Sequence, residues 1–149
     1  MTPRKKTLAR TSTMNYTDFL RSIQPIWISL VETSFAGDRA QYFEHKEHEL
    51  SVSWNAEPVE FGAEFFEVKA QAVIRLSPTK SRESFFSLSA TYHLHIHASA
   101  PLNRDHVKRF VGGELRLLVW PYVREYTSSV SGRMHVPPVL LPLTGSEDR

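Results

Sequence analysis

The sequence predicts an α+β domain: a four-stranded antiparallel sheet with a long connection between its first two strands, followed by two C-terminal helices. Three observations carry that expectation. Apolar residues recur at period two through four segments before Pro101, and at steps of three and four beyond it. The strands precede the helices, without the alternation that a parallel sheet needs. At 149 residues and 41% hydrophobic content the chain can bury one real core but is too short for two full domains.

The first strand is read from Ile26, Ile28 and Leu30 alternating with Trp27, Ser29 and Val31 through to Phe35. Apolar residues fall on both of its faces, so both are expected to be covered. Leu50, Val52, Trp54 and Ala56 alternate with Ser51, Ser53 and Asn55, which gives a second strand with one apolar and one polar face. Between them Ala36 to Glu49, with Gly37, Asp38 and a charged run around Tyr42 and Phe43, is too long for a tight hairpin.

The third strand sets Phe66, Val68, Ala70, Ala72, Ile74 and Leu76 against Glu67, Lys69, Gln71 and Arg75. The fourth sets Phe86, Leu88, Ala90, Tyr92, Leu94, Ile96 and Ala98 against Ser87, Ser89, Thr91, His93, His95 and His97. Pro78 cannot donate to a ladder, so these two strands end at the turn around it and pair antiparallel. Asn103 is placed to cap a short helix that buries Val107, Phe110 and Val111 and stops at Gly112-Gly113. A second helix carries Leu115, Leu118, Val119, Tyr122, Tyr126 and Val130, and Pro121 predicts either a kink or a fresh start within it. Three prolines between Pro137 and Pro142 make the end of the chain extended. The helices are expected to cover one face of the sheet.

Four of the 18 Lys and Arg residues lie in residues 1–13 and none of the 16 acids does, so the high isoelectric point belongs to a short tail and the rest is slightly acidic. A nucleic-acid module spreads its basic residues over a folded face, so no nucleic-acid partner is expected. Residues 1–15 are expected to form a basic flexible tail, 16–143 a single domain and 144–149 a flexible C-terminal tail. Met14 is a second candidate start. No apolar region of a secretory signal follows the tail. The longest strongly apolar run, Leu117 to Trp120, is far short of the roughly 18 residues of a membrane span. The absence of cysteine excludes disulfides, thiolate zinc sites and cysteine nucleophiles, and suits a reducing cytoplasm.

His93, His95 and His97 put three imidazoles on one face of a strand, but over about 13 Å, too far apart for one ion without help from a neighbouring strand. A partly exposed polar face or a subunit interface is the plainer reading, and no metal is expected. No nucleophile elbow, phosphate loop, dinucleotide fingerprint or His-Glu-x-x-His is present, so no catalytic residue is assigned. Glu44 to Glu49 reads as a solvated charge run. What remains is aromatic: Trp27, Phe35, Tyr42, Phe43, Trp54, Trp120, Tyr122 and Tyr126. Core is the plainer reading for Trp54 and Tyr122, whereas Tyr42 and Phe43 have no periodic element to bury them and either pin the connection or edge an apolar groove.

The run Val119-Trp120-Pro121-Tyr122-Val123-Arg124-Glu125, followed by Val130, Arg133, Val136-Pro137, Val139 and Leu141-Pro142, resembles the SecB family of protein-export chaperones. Ile23-Gln24-x-Ile26-Trp27 is similar to that family's first strand, and the order of elements agrees from about residue 20 to residue 142. The resemblance implies a long crossover between strands 1 and 2, two C-terminal helices and a homotetramer built as a dimer of dimers. It further implies no cofactor and no reaction, with unfolded or preprotein polypeptides held in apolar grooves and some passed to the SecA motor. On it, Phe35, Tyr42, Phe43, Trp54, Trp120, Tyr122, Tyr126 and Val136 are expected to bind client polypeptide.

Trp27 and Ile28, on a strand apolar on both faces, are expected at an oligomer interface. The sequence departs from the family where the motor-docking acids would fall, near Leu30, Ser34 and Ser89, and where Val136 and Met134 replace the usual Phe and Gly. Some family members serve toxin–antitoxin systems as dedicated chaperones of one client segment, which is the alternative function. An enzyme or metal protein built on His93, His95 and His97 is the third.

Overall fold

The computed structural model describes residues 14–143; the expected basic N-terminal tail, over residues 1–13, and the expected C-terminal tail, residues 144–149, lie outside the described residues. The elements run α1 (Tyr16–Ser22), β1 (Ile23–Gly37), α2 (Arg39–Glu44), β2 (His48–Phe61), β3 (Phe65–Pro78), β4 (Phe86–Ala98), α3 (Arg104–Gly112) and α4 (Glu114–Arg133). The four strands form one antiparallel sheet in the order β1-β4-β3-β2, so the chain crosses the full width of the sheet between β1 and β2. The two C-terminal helices follow the last strand, as the period change at Pro101 predicts.

Alternation decides which face is covered. On β3 and β4 the residues from Phe66 to Leu76 and from Phe86 to Ala98 that the period assigns to one face are buried, and they meet Val107, Phe110 and Val111 of α3 and Leu115, Val119 and Val123 of α4. The other face, with the three histidines, is open. β3 ends at Pro78, and β4 spans the residues read from the sequence. Asn103 caps α3 as expected, its side chain accepting from the backbone N–H groups of Asp105 and His106.

Two short helices were not anticipated. In α1, Asn15 is the cap and Phe19 enters the core against Phe66 and Phe110. Seven residues hold only one apolar repeat, too few for periodicity to register. In the crossover, Asp38 caps α2, and its N–H donates to the Phe85 carbonyl at 2.8 Å, which ties the connection to the turn between β3 and β4.

Pro121 neither kinks α4 into two helices nor restarts it; α4 is continuous from Glu114 to Arg133. The Leu117 carbonyl that loses its donor belongs to an exposed residue, so water can satisfy it. The buried stripe of α4 is Leu115, Val119, Val123, Thr127, Val130 and Ser131, which leaves Leu118, Tyr122 and Tyr126 on the neighbouring face. The apolar pattern expected for this helix, Leu115, Leu118, Val119, Tyr122, Tyr126 and Val130, spans both stripes. Beyond the helix, residues 137–142 are extended as expected and return along α4: Ser131 Oγ accepts from Val139 N–H at 3.1 Å, and Trp120 Nε1 donates to the Pro142 carbonyl.

The expectation that β1 is covered on both faces is not met within one chain. Among the described residues β1 is an edge strand, paired only with β4, and Ile26, Trp27, Leu30, Val31 and Phe35 are all exposed. α3 lies against β2 and α4 against β3 and β4.

Candidate functional site

The register of β1 against β4 sorts its side chains. Residues directly opposite share a face, so Ile28 opposite Leu94, Leu30 opposite Tyr92, Thr33 opposite Ala90 and Phe35 opposite Leu88 lie on the helix side. Trp27, opposite His95, lies on the open side. Irregularities between Pro25 and Trp27 and between Leu30 and Glu32 put two extra residues into β1, which is why an unbroken alternation could not assign its faces.

α4 runs alongside the helix-side strip of β1. Leu118 and Tyr122 stand beside Pro25 to Ile28 around a cavity of about 350 Å³. Farther along, the Tyr126 hydroxyl meets Thr33 Oγ1 at 2.6 Å. At the far end the Phe35 ring packs edge-on against Phe86 at 5.3 Å. A Cβ on Gly37 would fall 2.7 Å from Met134 Cε and 2.8 Å from Phe35 Cζ, so glycine is what allows the thioether and the ring to close over the backbone there. The result is a groove floored by β1 and walled by α4. Its apolar lining remains exposed: Leu30, Phe35 and Tyr122 keep 39%, 43% and 47% of their surface.

Of the residues expected to bind client, Phe35, Tyr122 and Tyr126 come together in this groove. Tyr42 and Phe43 sit on α2: Tyr42 is half-buried among His48, Phe85 and Phe43, and pins the crossover, while Phe43 is exposed beneath the Arg39 guanidinium at 4.8 Å. Trp54 is half-buried on the helix side of β2, opposite Ala72, at the other edge of the sheet. Trp120 and Val136 lie inside the fold, at 1% and 6% exposure, Trp120 held by Pro142 and overlain by Arg116. Leu118, Ile28 and Leu30 were not singled out for the groove, although the i, i+4, i+8 spacing of Leu118, Tyr122 and Tyr126 was available as a signal. A second cavity of about 310 Å³ lies between α4 and the returning chain, beside Pro121, Arg124 and Leu141.

Trp27 and Ile28, expected together at an interface, point to opposite faces. Ile28 enters the groove, whereas Trp27 stacks on His95 at 5.7 Å, and Phe65 stacks on the same imidazole at 4.8 Å. Glu67 accepts from His95 Nδ1 at 2.9 Å and lies 3.5 Å from His93 Nε2. Among the described residues no group of three or more His, Asp or Glu is arranged to hold a metal ion.

Two tyrosines are pushed up to about 12. For Tyr92, under the groove, burial is the main cause, followed by the Glu125 carboxylate and Tyr126. For Tyr16, burial leads again, then the hydrogen bond and charge of Glu114, with Arg109 opposing.

No family model matches the sequence, and no curated protein does. The sheet order, the crossover and the two terminal helices define a SecB-like fold, and a solved structure bears this out. The chain is similar to Rv1957, a SecB-like chaperone of Mycobacterium tuberculosis solved in complex with a ChAD peptide from the Rv1956 HigA1 antitoxin. The TM-score is 0.63 at 18% identity, over 85% of this chain and 93% of that one. A protein of unknown function from Streptococcus agalactiae matches with a TM-score of 0.42 and 14% identity, over 80% of this chain and 96% of that one. No helix among the described residues is long and apolar enough to cross a membrane.

Proposed function

We propose that this protein is an ATP-independent chaperone that holds non-native polypeptide segments in the groove between β1 and α4. The observation that carries the reading is the strip of Ile28, Leu30 and Phe35, left open beside Leu118 and Tyr122 on a strand whose outer edge pairs with no other strand among the described residues. An extended segment laid there buries apolar surface worth about 25 cal/mol per Å², offset by the entropy of ordering it. Shallow contacts spread along a groove give moderate affinity for many sequences. The fold shared with a chaperone solved around a peptide supports the reading.

In this reading no cofactor is used and no bond is made or broken. The working form is a cytoplasmic homotetramer, a dimer of dimers, in which Trp27 on the open face of β1 is covered by a partner subunit while the helix-side strip stays free for client. Phe43 extends the client surface from the crossover, while Trp120 and Val136 support the groove wall from inside. Handover to the SecA motor in protein export is not included, because Leu30, Ser34 and Ser89 occupy the positions where docking acids would fall. A second reading, a dedicated chaperone of a toxin–antitoxin system, is favoured by the antitoxin peptide held by the similar structure.

The test is light scattering from a chemically unfolded protein diluted into buffer with this chain and no nucleotide. Suppression saturating near one tetramer per client, weakened by Phe43→Ala or Tyr122→Ala at unchanged melting temperature, is the expected result. A lack of suppression, together with tight binding of a single antitoxin segment, would select the second reading. Lowered melting temperature with unchanged client affinity would make these two aromatics structural.

A further inference from the structure

The groove is not one continuous trough. The Tyr126 hydroxyl and Thr33 Oγ1, 2.6 Å apart, join α4 to β1 across it. On one side of this bridge lies the cavity at Ile28, Leu118 and Tyr122, and on the other lie Phe35, Phe86 and Met134 over Gly37. The bridge stands over a floor already filled, because Ala90 opposite Thr33 and Tyr92 beside it are buried. A bulky side chain has nowhere to descend at that point unless the bridge opens.

Building on the function proposed above, we infer that the Thr33–Tyr126 bridge sets the register of the bound segment. It selects extended polypeptides with two bulky apolar residues six positions apart and a small or polar residue where the segment crosses the bridge. The spacing follows from the register. Ile28 and Phe35 lie opposite Leu94 and Leu88, six residues apart along β4, a separation of about 20 Å at the rise of a strand. Thr33 lies opposite Ala90, two residues from the Phe35 position and four from that of Ile28. A segment running along the groove with strand geometry has the same rise, so its two anchors are six residues apart. Even spacing keeps both on the face turned to the groove. The residue over the bridge faces two hydroxyls, which favour serine, threonine or alanine there and exclude leucine by volume. The bridge is thus a specificity-determining element rather than a source of affinity.

Labelled 13-residue peptides, polar except for two leucines spaced by four, six or eight, test this by fluorescence anisotropy. The full chain is expected to bind the six-spaced peptide about tenfold more tightly than the others, the equivalent of one leucine left unburied. A third leucine at the bridge position is expected to abolish that advantage. Thr33→Val and Tyr126→Phe, separately and together, remove the hydrogen bond while keeping side-chain volume. Each is expected to bring the preference below threefold and to admit the third leucine, with far-ultraviolet circular dichroism confirming the fold. Equal affinity for all spacings in the unaltered chain would overturn the register but leave the groove as a polypeptide site. Failure to bind any of the peptides, with client aggregation also unsuppressed, would overturn both.

Discussion

Ser131 illustrates how much a single small polar residue can organise. Its hydroxyl donates to the Thr127 carbonyl at 2.8 Å and accepts from Val139 N–H, and Thr127 in turn donates to Val123. A serine and a threonine buried in a helix satisfy themselves on the preceding turn, which frees the serine oxygen to receive the returning chain. Ser131→Ala leaves the buried Val139 N–H without its partner and is expected to cost about 1–3 kcal/mol, read from urea unfolding. Tyr92 supplies a prediction of opposite origin. Its phenol ionises near 10 in the unfolded chain and at about 12 in the folded one, so the stability held by the neutral form is complete below pH 10 and is lost as pH rises toward 12. Thermal melts across that window are expected to show a shallower decline for Tyr92→Phe than for the unaltered protein. Absorbance at 295 nm should show Tyr16 and Tyr92 titrating late, a component lost in part in Tyr92→Phe.

At the scale of elements, α4 performs two jobs with two stripes. Leu115, Val119 and Val123 close the core, while Leu118, Tyr122 and Tyr126 turn along the wall that faces β1. Pro121 sits on the exposed side between them, where it removes one backbone hydrogen bond and lowers helix propensity. Pro121→Ala is expected to stabilise the single chain by about 1–3 kcal/mol, visible as a melting temperature raised by several degrees. A fall instead would mean that the proline packs against another subunit. β1 is the reverse case. Its alternation was legible, but the two irregularities that split its side chains between a groove and an open face were not, because a bulge shifts the period by one residue without any mark in composition.

For the whole molecule the question is what an apolar edge strand does in water. Fifteen residues of β1 with an open outer edge and five exposed large apolar side chains would promote aggregation in a monomer, so association is the expected answer. Light scattering coupled to size exclusion is expected to give a mass four times that of the chain. Trp27→Glu, which replaces an exposed indole stacked on His95 by a charge, is expected to reduce it. An unchanged mass in the variant would place the interface on the helix side, with Ile28.

The sequence by itself determined the α+β class, the long third and fourth strands, the capped α3 and the buried face of the sheet, because each rests on a local period or a local cap. It also carried the SecB resemblance, through the run from Val119 to Pro142. The tertiary structure alone decided which aromatics share a groove. Trp120 and Tyr122 are two residues apart, yet one is buried and hydrogen-bonded to Pro142 while the other is half exposed beside β1. Thr33 and Tyr126 meet across 93 positions of sequence. Periodicity tells a residue which face of its own element it occupies; only the packing of one element against another decides whether that face is core, groove or open surface.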